Sequence, residues 1–381
     1  MSQPASDDPD RPFFATAAKG TEGALRDELK ELRVPLVRAS RGGVYFGGDM
    51  HSALWVCLHS RIAARVLQRQ TSFVARDPDE LYDGVRDVAW ERVLDAGRTL
   101  AVDANVRDAP IGNSAFAAQR VKDAIVDRLR DLFGARPDVD KRDPDVRVVL
   151  HWVREAVTVS LDVGGASLHA RGYRQDGGEA PLKENLAAAI VRLCGWDRTS
   201  TFIDPLCGSG TLAIEAAQWA RRIAPGLLRE RFGAERWASH DQTERELLRT
   251  LRETAQAEAR HIADGPAVFA RDADDRVLAL ARQNAARAGV QIEFARADMR
   301  KLQKEQDQAW LITNPPYGER LSQDTAAAAD LAEVFSRLSG YRVCALTHER
   351  SLPQVMRRRP VLEHALWNGP IECRLFRWDI A

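Results

Sequence analysis

The chain has 381 residues, of which 45% are hydrophobic and 29% charged, with 55 basic side chains matched by 55 acidic ones. That is the balance of a globular protein long enough for two or three domains, and it excludes a disordered, collagenous or fibrous chain. No apolar run approaches the roughly 20 residues of a membrane span, and residues 1–12 lack the apolar stretch of a secretion signal.

Residues 1–12 carry Pro4, Pro9 and Pro12 with little to bury, and are expected to form a disordered tail. A strand is predicted at 13–18, broken by Gly20, then a helix that Thr21 can cap, with Leu25, Leu29 and Leu32 at near-helical spacing. A second strand is predicted at 44–46, followed by a helix capped by Asp49 with Ala53, Leu54, Cys57, Leu58 and Ile62 on one stripe. These elements make a small α+β unit over 13–70. A second α+β module over 71–170 contains a strand at 99–106 and a helix at 114–133, with Phe116, Val121, Ile125, Leu129 and Leu132 turned inward. Its last two strands, 146–153 and 156–163, meet at a polar turn around Arg154 and Glu155.

Residues 171–182, with Gly177, Gly178 and Pro181, are expected as a hinge. Strands and helices alternate beyond it: helix 183–193, strand 201–204, helix 211–222, strand 267–271, helix 274–287 and strand 290–295. Strand 310–313, helix 326–338, strand 342–347, helix 352–358 and a strand pair near 361–367 and 372–378 complete the series. Such alternation predicts an α/β fold around a doubly wound, mostly parallel sheet, and the closing antiparallel hairpin hints at a methyltransferase-type sheet.

The five cysteines, Cys57, Cys194, Cys207, Cys344 and Cys373, are scattered without CxxC spacing, which argues against a disulfide framework or a cysteine zinc site and fits a reducing cytoplasm. Zero net charge demands no polyanion partner, but nucleic-acid binding needs a basic face and not a basic total. Lysine occurs only seven times, so most cations are arginine forks suited to phosphate.

The segment from Asp204 through Leu206, Cys207, Gly208, Ser209 and Gly210 to Thr211 ends one predicted strand and opens a helix. Glycines there let a nucleotide approach the backbone beside a helix N-terminus. A dinucleotide fold would place an acid about 20 residues on. Here the next strand comes only after a helical insertion at 223–265, and the third glycine is absent. Asp272 with Ala273, and Asp298 with Met299, each follow a predicted strand, on the edge where ligands of doubly wound sheets bind. Asp274 reads as a helix cap. The most specific signal is Asn314-Pro315-Pro316-Tyr317, directly after an apolar strand. Two prolines stiffen that loop, so the Asn314 amide oxygen and the Pro315 carbonyl can both accept from a planar amino group while Tyr317 stacks on the ring bearing it.

With these motifs the sequence resembles the class I S-adenosylmethionine-dependent methyltransferases that act on amino nitrogens, and more closely the RNA guanine-N2 methyltransferases with an N-terminal THUMP domain. The resemblance spans nearly the whole chain after the tail. It includes Phe13 to Gly20, Val121 to Asp127, Arg136 to Asp140, Arg171 to Arg174, Pro181 to Ile190, Asn314 to Leu321 and Asn368 to Pro370, while Asn185 stands where many relatives have threonine. It implies a ferredoxin-like segment over 13–70, a THUMP domain over 71–170 and a Rossmann-like methyltransferase domain over 183–381, with seven strands and an antiparallel last one. It also implies S-adenosylmethionine as methyl donor, RNA as substrate and a guanine of large-subunit (23S) ribosomal RNA as target; the chemistry requires no metal, and the oligomeric state is left open with a monomer favoured. RNA contacts are expected from Arg120, Lys122, Arg171, Arg174 and Arg320. The same loop would also present adenine N6, a transfer RNA guanine or a glutamine amide. A ribosome-assembly factor retaining the domain as scaffold is the non-enzymatic alternative.

Overall fold

The computed structural model describes residues 10–174, 182–259, 265–315, 324–348 and 351–381. The N-terminal part is built from β1 (Phe13–Thr16), α1 (Glu22–Glu31), β2 (Arg38–Ser40), β3 (Gly43–Phe46), α2 (Met50–His59) and β4 (Arg65–Val74). It continues through α3 (Pro78–Arg86), β5 (Thr99–Arg107), α4 (Ser114–Phe133), β6 (Asp138–Val139), β7 (Val146–Val153) and β8 (Ala156–Asp162). The eight strands form one sheet in the order β2-β3-β1-β4-β8-β7-β5-β6.

The two α+β units expected from sequence therefore share a sheet, because β4 pairs with β1 at Arg65–Gln68 and with β8 at Leu67–Val74. No strand was expected there. Polar Gln68, Arg69, Gln70 and Ser72 and a register shift between Arg69 and Thr71 hide its alternation.

Alternating side chains such as Phe13, Ala15, Val44, Phe46, Leu150, Trp152 and Val159 enter one core together with α1, α2, α3 and α4. The opposite face of the sheet carries no helix among the described residues. Asp49 and Asn113 cap α2 and α4 through their side chains, whereas the Thr21 hydroxyl at the start of α1 donates to the Ala18 carbonyl instead. In α4 the buried stripe is Ala117, Val121, Ala124, Ile125 and Leu129. Phe116 and Leu132, expected inward, are 45% and 53% exposed in the end turns, since the two alanines hold the facing positions.

The C-terminal part runs α5 (Glu184–Cys194), β9 (Phe202–Asp204), α6 (Thr211–Ala220), α7 (Gln242–Glu258), β10 (Val268–Asp272), α8 (Asp275–Arg287) and β11 (Glu293–Arg296). It ends with β12 (Ala309–Thr313), α9 (Asp324–Ser336), β13 (Tyr341–Thr347), α10 (Leu352–Met356), β14 (Leu362–Asn368) and β15 (Ile371–Asp379). Its seven strands lie in the order β11-β10-β9-β12-β13-β15-β14, and β15 is antiparallel to both β13 and β14. Both faces are covered. Phe202, Trp310, Ile312 and Cys344 enter the core under α5, α6 and α8, while Ile203, Leu311, Val343 and Ala345 enter the core under α9 and α10. Arg357 takes a left-handed conformation (φ 49°) that ends α10, so the Arg357, Arg358 and Arg359 run lies past the helix rather than late within it.

The insertion belongs by sequence to the second part but packs on the first. Ala224, Phe232, Trp237 and the α7 residues Leu248, Leu251 and Ala255 all join the N-terminal core. Buried charges complete the junction. Glu215 of α6 is fully buried, and its carboxylate accepts from the Tyr173 hydroxyl at 3.1 Å and lies 3.6 Å from Arg171 and 3.9 Å from Arg61.

Candidate active site

Strands β9, β10, β11 and β12 run parallel, so their carboxyl ends share one edge. The chain turns there from β9 into α6 through Cys207, Gly208, Ser209 and Gly210. Gly208 (φ 52°) and Gly210 (φ 85°) adopt the left-handed conformation that glycine tolerates, and a Cβ on Gly208 would meet nothing within 4 Å. A Cβ on Gly210 would stand 3.2 Å from Ala281 of α8, which is why the loop can sit close to that helix.

Asp204 is buried, and its Oδ1 accepts from the Leu206 amide at 3.2 Å and from the Thr313 hydroxyl at 3.1 Å. Burial holds its carboxyl up at about 7, and Asp272 nearby adds to the rise. Asp272 bridges the loops: Oδ2 accepts from the Gly208 amide at 3.0 Å and Oδ1 from the Asp274 amide at 3.0 Å. The Cys207 amide donates to the Arg271 carbonyl at 2.8 Å. Burial pushes the Cys207 thiol far up, which keeps it protonated and a poor nucleophile.

Asn314 follows Thr313 on this edge, and its Oδ1 is buried with no hydrogen-bond partner among the described residues. Pro315 behind it is buried. Asp204, Leu206, Cys207, Gly208, Ser209, Gly210, Thr211, Asp272, Ala273, Asn314 and Pro315 thus gather at one strand edge. Asp298 lies on the same edge after β11 but caps the short turn Met299–Lys301 and pairs with Arg300 at 2.8 Å, which holds its carboxylate down at about 2. Met299 packs partly into the core beneath α9. Pro316, Tyr317 and Arg320 lie outside the described residues, as do Gly177, Gly178 and Pro181 of the expected hinge.

The cations expected to grip RNA are not placed alike. Arg171 needs correction: it is 2% exposed, donates to the Leu168 carbonyl at 2.6 Å and to the Arg61 carbonyl, and faces Glu215, so it joins the two parts and meets no surface ligand. Arg174 donates to Thr211 Oγ1 and to the Leu182 carbonyl and lies 3.5 Å from Glu184, which fastens the chain after β8 to the start of α6. Arg120 pairs with Asp79 at 2.6 Å and lies over the Tyr82 ring, and Lys122 pairs with Asp123 at 2.7 Å. Three supporting residues escaped the sequence reading. Thr313 ties Asp204 to the Asn314 loop, Asn284 donates to the Ser209 carbonyl at 3.1 Å, and buried Glu184 stands beside Arg174. Only Glu184 had a sequence signal, as an acid opening a helix directly after the hinge.

A doubly wound sheet with an antiparallel last strand, a glycine loop after β9 and an amide loop after β12 defines a methyltransferase domain. Comparison with known proteins agrees: residues 171–377 match the RMKL-like methyltransferase domain, 75–162 the THUMP domain and 12–67 the RlmL ferredoxin-like domain. The chain belongs to the RMKL-like methyltransferase family. It is 42% identical to the ribosomal RNA large subunit methyltransferase K/L of Syntrophotalea carbinolica, over 97% of this chain and 53% of that protein. The protein of the same name from Methylococcus capsulatus is 41% identical over 97% of this chain and 51% of its own. The chain thus spans about half the length of the curated relatives it matches. Among solved structures it resembles SMU.472 in complex with SAH (TM-score 0.86, 30% identity, 97% of this chain and 98% of that one). A predicted N6-adenine-specific DNA methylase from Listeria monocytogenes is as similar in fold (TM-score 0.86, 29% identity, 97% of this chain and 96% of that one).

Proposed function

We propose that the chain methylates the exocyclic N2 amine of a guanine in large-subunit (23S) ribosomal RNA, using S-adenosylmethionine. The observation that carries this reading is the buried Oδ1 of Asn314, without a hydrogen-bond partner among the described residues, at the carboxyl end of β12 beside the glycine loop. A buried acceptor without a donor is costly, and an incoming amino group would relieve it. The residues present also fit the donor. Open space lies in front of Gly208, and a cation beside buried Asp204 would offset the burial that holds its carboxyl up at about 7. When bound, S-adenosylmethionine supplies an electrophilic methyl group on a sulfonium.

The protein's part is placement. Asp272 holds the Gly208 amide, and Thr313 and Asp204 fix the start of the Asn314 loop. Asn314 Oδ1 and the Pro315 carbonyl would accept the two N–H groups of the amine, which fixes the plane of the amino group and leaves its lone pair perpendicular to that plane. That lone pair is delocalised into the ring, so orientation matters more than base catalysis, and a near-attack geometry is worth about 7–11 kcal/mol. The target base reaches this edge flipped out of the RNA.

The name of the Listeria relative favours adenine N6 as a second reading. Incubating the protein with isotopically labelled S-adenosylmethionine and either large-subunit RNA or bulk transfer RNA, then digesting to nucleosides for mass spectrometry, separates the two. Label in N2-methylguanosine from ribosomal RNA supports the proposal. Label in N6-methyladenosine overturns the base, label in transfer RNA moves the substrate, no label despite measurable donor binding points to an assembling subunit or a protein as substrate, and failure to bind the donor returns the assembly-factor reading.

A further inference from the structure

Three stretches far apart in the chain meet on the methyltransferase edge. The loop after β1 closes on β14: His364 Nε2 lies 2.7 Å from the Gly20 carbonyl oxygen, the Trp367 amide donates to the Lys19 carbonyl at 3.2 Å, and a Cβ on Gly20 would stand 2.4 Å from the Ala365 carbonyl oxygen. The turn between β14 and β15 projects from the carboxyl edge, because β15 begins before Arg374, which pairs with Thr347, the last residue of β13. Helix α5 starts on the same edge, where Arg174 joins the Leu182 carbonyl to Thr211 at the start of α6. Between these stretches lies a cavity of about 320 Å³, with Lys19, His169, Lys183, Asn185, Trp367 and Asn368 in its wall. No Asp or Glu lines it among the described residues. Nor does any residue of the glycine loop, nor Asp272 or Asn314, so it is separate from the groups proposed to hold donor and amine.

The cavity asks for two things at once. It favours an anion, since α5 opens without a side-chain cap, Lys183 stands at the N-cap position, and Lys19 Nζ lies 3.5 Å over the Trp367 ring. Glu184, the acid of that first turn, faces Arg174 at 3.5 Å and does not line the cavity. It also calls for a hydrogen-bond donor. Asn185 is 4% exposed, its Nδ2 donates to the Ile62 carbonyl at 3.3 Å, and its Oδ1 has no partner among the described residues. Because Nδ2 already serves a carbonyl, the amide cannot be turned round, and Oδ1 is left as an acceptor. His169 adds a second one. Burial, then the charge of Lys183, holds it down at about 4, so the ring is neutral. The Ser167 hydroxyl donates to the Ala64 carbonyl at 3.2 Å and therefore accepts from His169 Nδ1 at 2.6 Å, which leaves Nε2 without a proton. Inorganic phosphate brings oxygens alone. A nucleotide within an RNA strand brings a phosphate and a 2′-hydroxyl that can donate, and a DNA strand lacks that hydroxyl.

We propose that this cavity is a ribose-phosphate site for a nucleotide beside the target base, with the phosphate at the start of α5 between Lys19 and Lys183 and the 2′-hydroxyl donating to Asn185 Oδ1. The site rests on the reading of RNA as substrate and deepens it: here the protein would tell RNA from DNA.

The test is binding, not turnover. Fluorescence anisotropy measures the affinity of the full chain for a short labelled single-stranded RNA and for the same sequence as DNA, while calorimetry with S-adenosylmethionine reports on the donor site. The wild type should prefer RNA by about fivefold or more, the worth of one buried hydrogen bond. Asn185→Val should bring the two affinities within about twofold, whereas Asn185→Thr, of the same shape but with an acceptor oxygen, should keep the preference. Lys183→Gln, at an exposed position that does not threaten folding, should weaken RNA binding and lower its salt dependence by about one unit of slope, with donor affinity unchanged. Equal wild-type affinity for RNA and DNA, a preference that survives Asn185→Val, or a wild-type salt slope in Lys183→Gln overturns the site. Loss of donor binding in Lys183→Gln would assign the cavity to the donor and overturn it too, and displacement of the RNA by micromolar guanosine 5′-monophosphate would overturn the strand as its occupant. Because no methyl transfer is read, failure of the methylation proposal and failure of this one are separate outcomes.

Discussion

The two sheets solve different problems with the same alternation of side chains. In the seven-stranded sheet alternate residues feed two cores, so neither face is free and a ligand can approach only at the strand ends, where β9, β10 and β12 deliver Asp204, Asp272 and Asn314. In the eight-stranded sheet one set of alternate residues feeds a core and the other meets solvent, so the face itself is open to a ligand. One sheet offers an edge built for a small, precisely held group.

Four changes test that division, beginning with the largest effect. Asn314→Ala should lower turnover by about 10³-fold or more while donor affinity by calorimetry stays within a few fold; retained turnover removes Asn314 from the reaction. Leu251→Ala, in the α7 face buried on the N-terminal core, should cost about 2–5 kcal/mol in denaturant unfolding. A single cooperative transition that moves as a whole would place both sheets in one unit, whereas a split transition would sharpen their independence. Asp272→Ala removes the acceptor of the Gly208 amide and should weaken donor binding, measured by calorimetry, by about 10- to 100-fold.

The smallest effect is in pH. The Asp204 carboxyl sits at about 7 in the folded chain against an ordinary 3.8, so between those limits the folded state holds a proton that the unfolded state has lost. Its contribution to stability is full below about pH 4 and is lost as pH rises through 7. Asp204→Asn should therefore flatten the fall in Tm between pH 4 and pH 7, measured by scanning calorimetry. A cationic donor favours the carboxylate, so donor affinity in the native protein should rise across the same window with release of a proton, and pH-independent affinity would count against contact with Asp204.

Much of the edge was legible because its residues are consecutive or follow apolar strands. The glycine loop, Asp272 and the Asn314 loop each announce themselves within a few positions, and the helix over Ser114–Phe133 shows its period plainly. What stayed hidden depends on distance along the chain. Thr313 reads as one more strand residue until β12 brings its hydroxyl to Asp204, 109 positions earlier. Arg171 reads as a free cation until Glu215 is found buried beside it. β4 was missed because the open face needs no apolar residues, so half of its alternation carries no hydrophobic signal. The cavity beside α5 was illegible because Lys19, Asn185 and Trp367 meet only in the fold.

The insertion at 223–265 makes the protein hard to divide. Severing the chain at 171–182 would free a methyltransferase part that still carries Phe232, Trp237, Leu248 and Leu251, a greasy flank with nothing left to cover it. The severed N-terminal part would in turn lose the lid of its own core. A designer wishing to transplant either half onto another scaffold must therefore cut twice, taking the insertion with the strands it covers, or accept that both pieces will cling to each other or to themselves.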